Sequence, residues 1–319
     1  MIDPSVTRFA ADLDALAAPG ERIGLAVSGG PDSLALLFLA AAARPGLVSV
    51  ACVDHGLREA SRAEAEAVAQ RCDELGVTHH ILTVDWPTPP TSALQEQART
   101  ARYAVLGDWA LKQGLGAIAT GHHADDQAET LIMRLMRGAG VRGLAAMRPA
   151  SPLPGNGKVT LLRPLLGWRR SELAAIVAAA GIVPAADPSN DDERFERVRV
   201  RRLMAASEWL DPAALAASAA HLAAADDAIE HAVAREWASV RDEHGSLLYD
   251  PRDAPPEIRR RVAARMIAAL ASEGDGGALR GRELDRLLGD IEAGSTATLR
   301  GVVASGGPTW CFRRAPPRR

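Results

Sequence analysis

The sequence predicts an α/β protein: a doubly wound parallel sheet followed by a smaller, mainly helical C-terminal domain. Three observations carry this. Short apolar runs alternate with helical stretches from Ile23 to about residue 185, the pattern of a parallel sheet covered on both faces. The first run, "RIGLAV", enters its helix through the turn "SGGPDS", Ser28 to Ser33. Beyond about residue 185 the alternation stops and Ala-rich helical patterns replace it.

The elements follow in order. Ile23 to Val27 reads as a strand, followed by an Ala/Leu helix to Ala43. "LVSVACV" (Leu47 to Val53) is the next strand. Ser61 opens a helix with Glu64 three residues on, a capping-box pattern. "HHILTV" (His79 to Val84) is a third strand, followed by a helix from about Ser92 to Gln113. "AIAT" (Ala117 to Thr120) leads into a helix from about Ala124 to Arg137. "VTLLRPLL" and a helix from Ser171 to Ala180 complete the series. A polar stretch, "AADPSNDDERFERVRVRR", then feeds a basic helix. Asp211-Pro212 caps a long Ala-rich helix, and "DAPPE" starts two more, over Arg259 to Leu270 and Arg282 to Ile291. "TATLRGVVASGGPTWCFRR" reads as a hairpin. The expected organisation is a nucleotide-binding domain over 1–205, a helical linker over 206–245 and a small C-terminal domain over 246–319.

Composition narrows the class. The chain has 319 residues, 47% hydrophobic and 24% charged, ordinary values for a globular protein of more than one unit. No run of about 18 apolar residues predicts a spanning helix, and the acidic, interrupted N-terminus is unlike a signal peptide. Cys52, Cys72 and Cys311 form no CxxC, so neither a disulfide framework nor a zinc site is expected. A cytoplasmic location follows, with no membrane partner. The formal net charge is −3, yet "ERFERVRVRR" (Glu193 to Arg202) holds five arginines against two glutamates. Five more arginines and no acid lie between Ala293 and the end. Two basic patches on a near-neutral chain suit a polyanion held at chosen places.

The SGGPDS turn stands where open α/β sheets bind ligands, beyond a strand's carboxyl end. Its amides and the helix dipole form an anion site. Gly29 and Gly30 admit close backbone approach, and Ser28 and Ser33 offer hydroxyls. Asp32 beside a phosphate requires a cation between them, and magnesium is the natural bridge. The turn lacks the lysine of a Walker loop. "SGGP" recurs at Ser305 to Pro308 between two apparent strands and reads there as a hairpin turn. "GAGVRG" (Gly138 to Gly143) is a formal GxGxxG, but it follows a helix and reads as a helix-ending loop.

SGGPDS after a strand resembles the loop of the PP-loop ATP pyrophosphatases, which cleave ATP to AMP and pyrophosphate. Four further stretches narrow the resemblance: "VDHGLR" (Val53 to Arg58), "EQARTARY" (Glu96 to Tyr103, with Arg99 and Arg102), "TGHHADDQAET" (Thr120 to Thr130) and "DPSNDDERFERVR" (Asp187 to Arg199). In the third, His122, Asp126 and Glu129 fall at positions 0, +4 and +7, one helical stripe. Together, over about Ile23 to Arg202, they resemble the tRNA(Ile)-lysidine synthetase family. One departure is Val198 after Arg197, where that family often has asparagine.

The resemblance implies ligation of L-lysine to C2 of the wobble cytidine in the CAU anticodon of isoleucine tRNA, using ATP and Mg2+. It places Ser28, Gly29, Gly30, Pro31, Asp32 and Ser33 on the pyrophosphate, with Asp32 toward magnesium. Asp54 and His55 stand at the adenosine half. Asp126 and Glu129 would grip the lysine ammonium, His122 would help move its proton, and Arg102 and Arg197 would stabilise charge at the α-phosphate or orient the cytidine. Arg300, Arg313 and Arg314 are expected on the tRNA body, and a homodimer is a possible assembly. The competing readings are a PP-loop tRNA thiolation enzyme, a small-molecule amide-forming synthetase and a non-catalytic nucleotide sensor.

Overall fold

Asp3 caps the first helix, α1 (Pro4–Asp14), by accepting the Ser5 amide. Strand β1 (Ile23–Ala26) follows, and Pro31 at the first helical position begins α2 (Pro31–Ala43). The chain then forms β2 (Val48–Asp54), α3 (Glu59–Glu74), β3 (Thr78–Thr83), α4 (Leu94–Lys112), β4 (Ala117–Thr120) and α5 (Ala124–Leu135). A single turn, α6 (Val141–Leu144), occupies the GAGVRG stretch. It precedes β5 (Ala150–Leu153), β6 (Asn156–Leu162), α7 (Arg170–Ala179), α8 (Glu196–Ala206) and α9 (Pro212–Trp237). This computed structural model describes residues 3–56, 59–86, 94–182, 194–271, 279 and 281–316. Leu57 and Arg58 of VDHGLR, Ser92, and Asp187 to Glu193 lie outside the described residues.

The first sheet has the order β3-β2-β1-β4-β6-β5. Its first five strands are parallel, and β5 joins β6 antiparallel as an edge. The sheet is therefore mixed at one edge, where the sequence predicted parallel strands throughout. "ASPL" escaped prediction because a proline confines a strand to a sheet edge and the stretch has no β-branched residue. Winding reverses between β1 and β4, so their carboxyl ends flank the crevice where such sheets bind ligands. Helix α3 begins at Glu59, two residues before the expected Ser61.

Residues alternate between two cores. Ile23, Leu25, Val50 and Cys52 pack under α1, α2, α3 and α7, while Ala51, Ile118 and Leu161 pack under α4. Gly24 makes room for α4: a Cβ there would lie 2.7 Å from a ring carbon of Trp109. Leu36 and Leu37 of α2 are fully buried, each stabilising the fold by about 1.5–3 kcal/mol. This holds the turn before α2 on a rigid base.

Two compact units are present, Met1–Ala223 and Ala224–Arg319, and the division falls inside α9. The second unit contains β7 (Arg241–Glu243), β8 (Ser246–Tyr249), α10 (Pro256–Leu270), α11 (Gly281–Glu292), β9 (Thr296–Leu299), β10 (Val302–Ser305) and β11 (Trp310–Arg314). Beside its helices it has an antiparallel sheet of order β7-β8-β11-β10-β9. SGGP at Ser305 to Pro308 connects β10 to β11. Val262, Met266, Ile291, Trp310 and Phe312 form its core. Among the described residues no helix is long and apolar enough to cross a membrane.

Candidate active site

The β1–α2 turn is shaped by its own hydroxyls. Ser33 Oγ accepts the Ser28 amide at 3.1 Å and donates to the Gly30 carbonyl at 2.9 Å. Gly29 has φ +84°, a conformation that disfavours a side chain. Gly30 has no side-chain cap to offer α2, so the amides of the first turn face the loop with only the dipole to attract a ligand.

The β4 exit meets this turn edge-on. A Cβ on Gly121 would sit 2.8 Å from the Asp32 carbonyl oxygen, so only glycine permits the approach. His122 follows, its Nδ1 2.8 Å from Thr120 Oγ1. Helix α5 starts at Ala124, so His122 precedes it and does not share a helical stripe with Asp126 and Glu129. The next residue, His123, takes the cap. In the neutral ring its Nδ1 accepts the Asp126 amide at 3.4 Å, and in either charge state Asp126 Oδ2 accepts the His123 amide at 3.1 Å. A reciprocal cap of this kind ends the extended chain and fixes where the helix begins.

His123 is also the meeting point of three carboxylates, Asp125 Oδ2 standing 3.7 Å from its Nδ1. It is 0% exposed, and its Nε2 lies 3.4 Å from Asp32 Oδ2 and 3.5 Å from Asp126 Oδ2. Burial would lower its pKa, but the Asp32 and Asp126 carboxylates outweigh burial and hold it above the usual value. His122 goes the other way. Burial first, then the charges of Arg163, Arg99 and Arg197, bring it down to about 4 against the pull of Asp126. Burial opposes ionisation of Asp126, yet His123, His122 and Arg197 keep its carboxyl below the usual range. Two adjacent histidines therefore hold opposite charge preferences.

Glu129, one turn along α5, is 1% exposed and surrounded by guanidinium groups. Arg201 Nε reaches its Oε1 at 2.8 Å, Arg197 Nε its Oε2 at 3.3 Å, and Arg170 Nη2 its Oε1 at 3.8 Å. Arg197 also donates to Thr130 Oγ1 at 3.1 Å. Ala128 and Ile132 of α5 pack on Val200 and Met204 of α8, which sets the face that carries Arg197 and Arg201.

A cleft of about 220 Å³ opens at these strand ends. Ser28, Asp32, Arg99, Arg102, Tyr103 and His122 are among the residues that line it. Arg99 stacks over Tyr103, 5.1 Å from the ring centre, and Arg102 Nη2 lies 3.4 Å from His55 Nε2. Asp54 Oδ1 accepts the Gly56 amide, shaping the β2 exit. The structure thus gathers Ser28, Gly30, Asp32, Ser33, Arg102 and His122 at one cleft, with Asp126 joined to Asp32 through His123. Gly29 and Pro31 belong to the same turn but do not line the cleft. Glu129 and Arg197 pair with each other, and Asp54 and His55 stand at the neighbouring strand end. Sequence reasoning passed over Gly121, His123, Arg170 and Arg201. The adjacent-histidine pair was the available sign for His123; Arg201 pairs across 72 residues, which no local pattern reveals.

Among the described residues no group of three or more His, Cys, Asp or Glu side chains is arranged to hold a metal ion. Asp32 Oδ1, however, is buried with no hydrogen-bond partner among the described residues. One hard carboxylate oxygen beside a phosphate loop fits magnesium, which takes its remaining ligands from substrate phosphates and water.

Comparison with known proteins agrees with this geometry. A family model described as a PP-loop domain matches residues 4–207. The tRNA(Ile)-lysidine synthase of Novosphingobium aromaticivorans is 51% identical over 317 residues, covering 99% of this chain and 95% of that protein. That of Zymomonas mobilis is 43% identical over 300 residues, covering 93% and 90%. A U34-tRNA thiolase from Methanococcus maripaludis, solved with its 4Fe-4S cluster, superposes with a TM-score of 0.57 at 17% identity, over 71% of this chain and 80% of that one. That likeness is one of fold. With its PP-loop domain and relatives matched over nearly their whole length, the chain belongs to the tRNA(Ile)-lysidine synthase family.

Proposed function

We propose that this protein joins L-lysine to C2 of the wobble cytidine in the CAU anticodon of an isoleucine tRNA, through an adenylylated cytidine, releasing AMP and pyrophosphate. The observation that carries the reading is the meeting of the phosphate loop with an imidazole-bridged pair of carboxylates at the sheet's switch point. One partner handles the nucleotide and the other suits an amine.

The C2 oxygen of cytosine is a poor leaving group until it bonds to the α-phosphorus. Pyrophosphate departs in that step, held by the Ser28 to Ser33 amides and hydroxyls and the α2 dipole. Arg102 and Arg197 stabilise the charge at the α-phosphate or orient the base. Magnesium held at Asp32 Oδ1 would neutralise phosphate charge. The lysine ammonium, with an unperturbed pKa of about 10.4, must lose a proton before it attacks C2 and expels AMP. Asp126 attracts the ammonium, and Glu129 acts with it through the arginines it holds in place. His122, kept neutral, offers a ring lone pair to an N–H where an imidazolium would repel it.

Two of the thiols, Cys52 and Cys72, support ligation over thiolation. Cys52 and Cys72 are buried, and burial above all pushes both up to about 12, so neither is a ready nucleophile. The deciding assay supplies ATP, labelled lysine and total tRNA. Label should enter isoleucine tRNA with one AMP released per lysine. No label in tRNA sinks the proposal, and a wild-type rate in Asp32→Ala removes the magnesium role.

A further inference from the structure

One buried charge beside the cleft enters the scheme above only through its effect on His122. Arg163 directly follows β6 and is 7% exposed. Its Nη1 donates to the Arg148 carbonyl at 2.7 Å and to Ser151 Oγ at 3.1 Å. Its Nε is buried without an acceptor, and among the described residues no carboxylate pairs with it. A guanidinium removed from water against neutral acceptors alone is costly. A site that keeps one gains if a ligand anion completes it.

Strand alternation says where this charge lies. Val159 and Leu161 pack under α4 with Tyr103 and Leu106, and Arg163 continues the same face two residues on. That is the face on which the cleft opens, lined there by Arg99, Tyr103 and His122. The charge is felt across it: after burial, Arg163 is the first of the cations that depress His122, and Tyr103 and Arg99 act on Arg163 in turn.

Position along the sheet then selects the ligand. The strand ends run β2, β1, β4, β6. They bring Asp54 and His55, the phosphate loop, His122 and Arg163 in that order. A nucleotide laid from β2 across β1 leaves the β6 side for the acceptors. RNA phosphates are met by accessible arginines on an outer surface; a nearly buried guanidinium is reached by a small free anion. We infer that Arg163 binds the α-carboxylate of the amino-acid substrate and so selects an amino acid over an amine lacking that charge. This rests on the proposed lysine ligation.

The test compares L-lysine with L-lysinamide, which keeps both amines but not the carboxylate, each as substrate or as competitive inhibitor. The wild-type enzyme should favour lysine by about 10- to 100-fold, the range for a hydrogen-bonded charge. Arg163→Gln should erase most of that preference by weakening lysine alone, with the KM for ATP unchanged. Arg163→Lys, which keeps the charge without the fork, should retain an intermediate preference. No preference in the wild-type enzyme overturns the inference, whatever the variants do. So does a parallel loss with lysine and lysinamide in a variant that melts at the wild-type temperature. A rise in the KM for ATP alone would assign Arg163 to a phosphate and overturn it too. If wild-type enzyme puts no labelled lysine into tRNA, the ligation reading itself fails, which is a separate result.

Discussion

Replacing Gly121 with alanine tests whether the β4 exit and the phosphate loop work as one assembly. The new Cβ would meet the Asp32 carbonyl oxygen at 2.8 Å, the Asp32 carbonyl carbon at 3.0 Å and the Ser33 nitrogen at 3.1 Å. All three are backbone atoms at the start of α2, so no side chain can swing aside. Reaching the ordinary contact of 3.4 Å requires the two segments to part by about 0.6 Å. Overpacking of this kind costs about 1–3 kcal/mol, or a fall of roughly 2–12 °C in melting temperature for a unit of this size. Function should suffer more. A misplacement of about 1 Å can cost roughly 100-fold in rate, so Gly121→Ala should lose about 10- to 50-fold in kcat/KM for ATP, read as tRNA-dependent AMP release. Gly30→Ala is the control. Its Cβ would find only Ser28 Oγ, at 3.8 Å, and its φ of −73° suits any residue. That variant should melt like wild type, and any rise in the KM for ATP would report ligand approach to the loop. A Gly121→Ala enzyme with wild-type melting and wild-type AMP release would refute the reasoning.

Other outcomes follow from the same geometry. In metal-free buffer, imidazole NMR should show His122 titrating near 4 and His123 above its ordinary value of 6.5. His123 therefore contributes stability that is present below pH 6.5 and lost as pH rises through its folded value. The destabilisation caused by His123→Gln should shrink from pH 6 to pH 9; a cost that grows would reverse the sign. His122 acts oppositely, its contribution disappearing as pH falls from 6.5 toward 4. Glu129→Gln leaves Arg197 and Arg201 facing each other without their carboxylate and should cost about 3–5 kcal/mol in denaturant melts, toward the lower figure because both arginines are partly exposed. The same variant should raise the KM for lysine, and an unchanged value would remove Glu129 from lysine binding. Arg313 and Arg314 are exposed on β11; replacing both with alanine should weaken tRNA binding and flatten its log–log salt slope by about 1.8, the value for two phosphate contacts. An unaltered slope would take this strand off the RNA.

What the amino-acid order determined by itself was local. Strands rich in Val, Ile and Ala, helices rich in Ala and Leu, and the Gly-Gly-Pro turn between them are written in contiguous residues, so the α/β class and the phosphate loop were legible. Polar or very short strands were not. β5 carries a proline and β7 reads Arg-Asp-Glu, and such segments become strands only because a neighbour offers them hydrogen bonds. The site divides the same way. SGGPDS announced itself by type and spacing, as did Asp126 and Glu129 of TGHHADDQAET, whereas His122 stood out by type alone because it precedes the helix. Tertiary structure alone decided that His123 takes the helix cap and so faces Asp32, 91 positions away in the chain. It alone set Arg201 on Glu129 and Arg163 on the Arg148 carbonyl. The reason is physical: a charge's partner depends on strand order and helix packing, which bring together residues whose separation along the chain carries no trace of their distance in space.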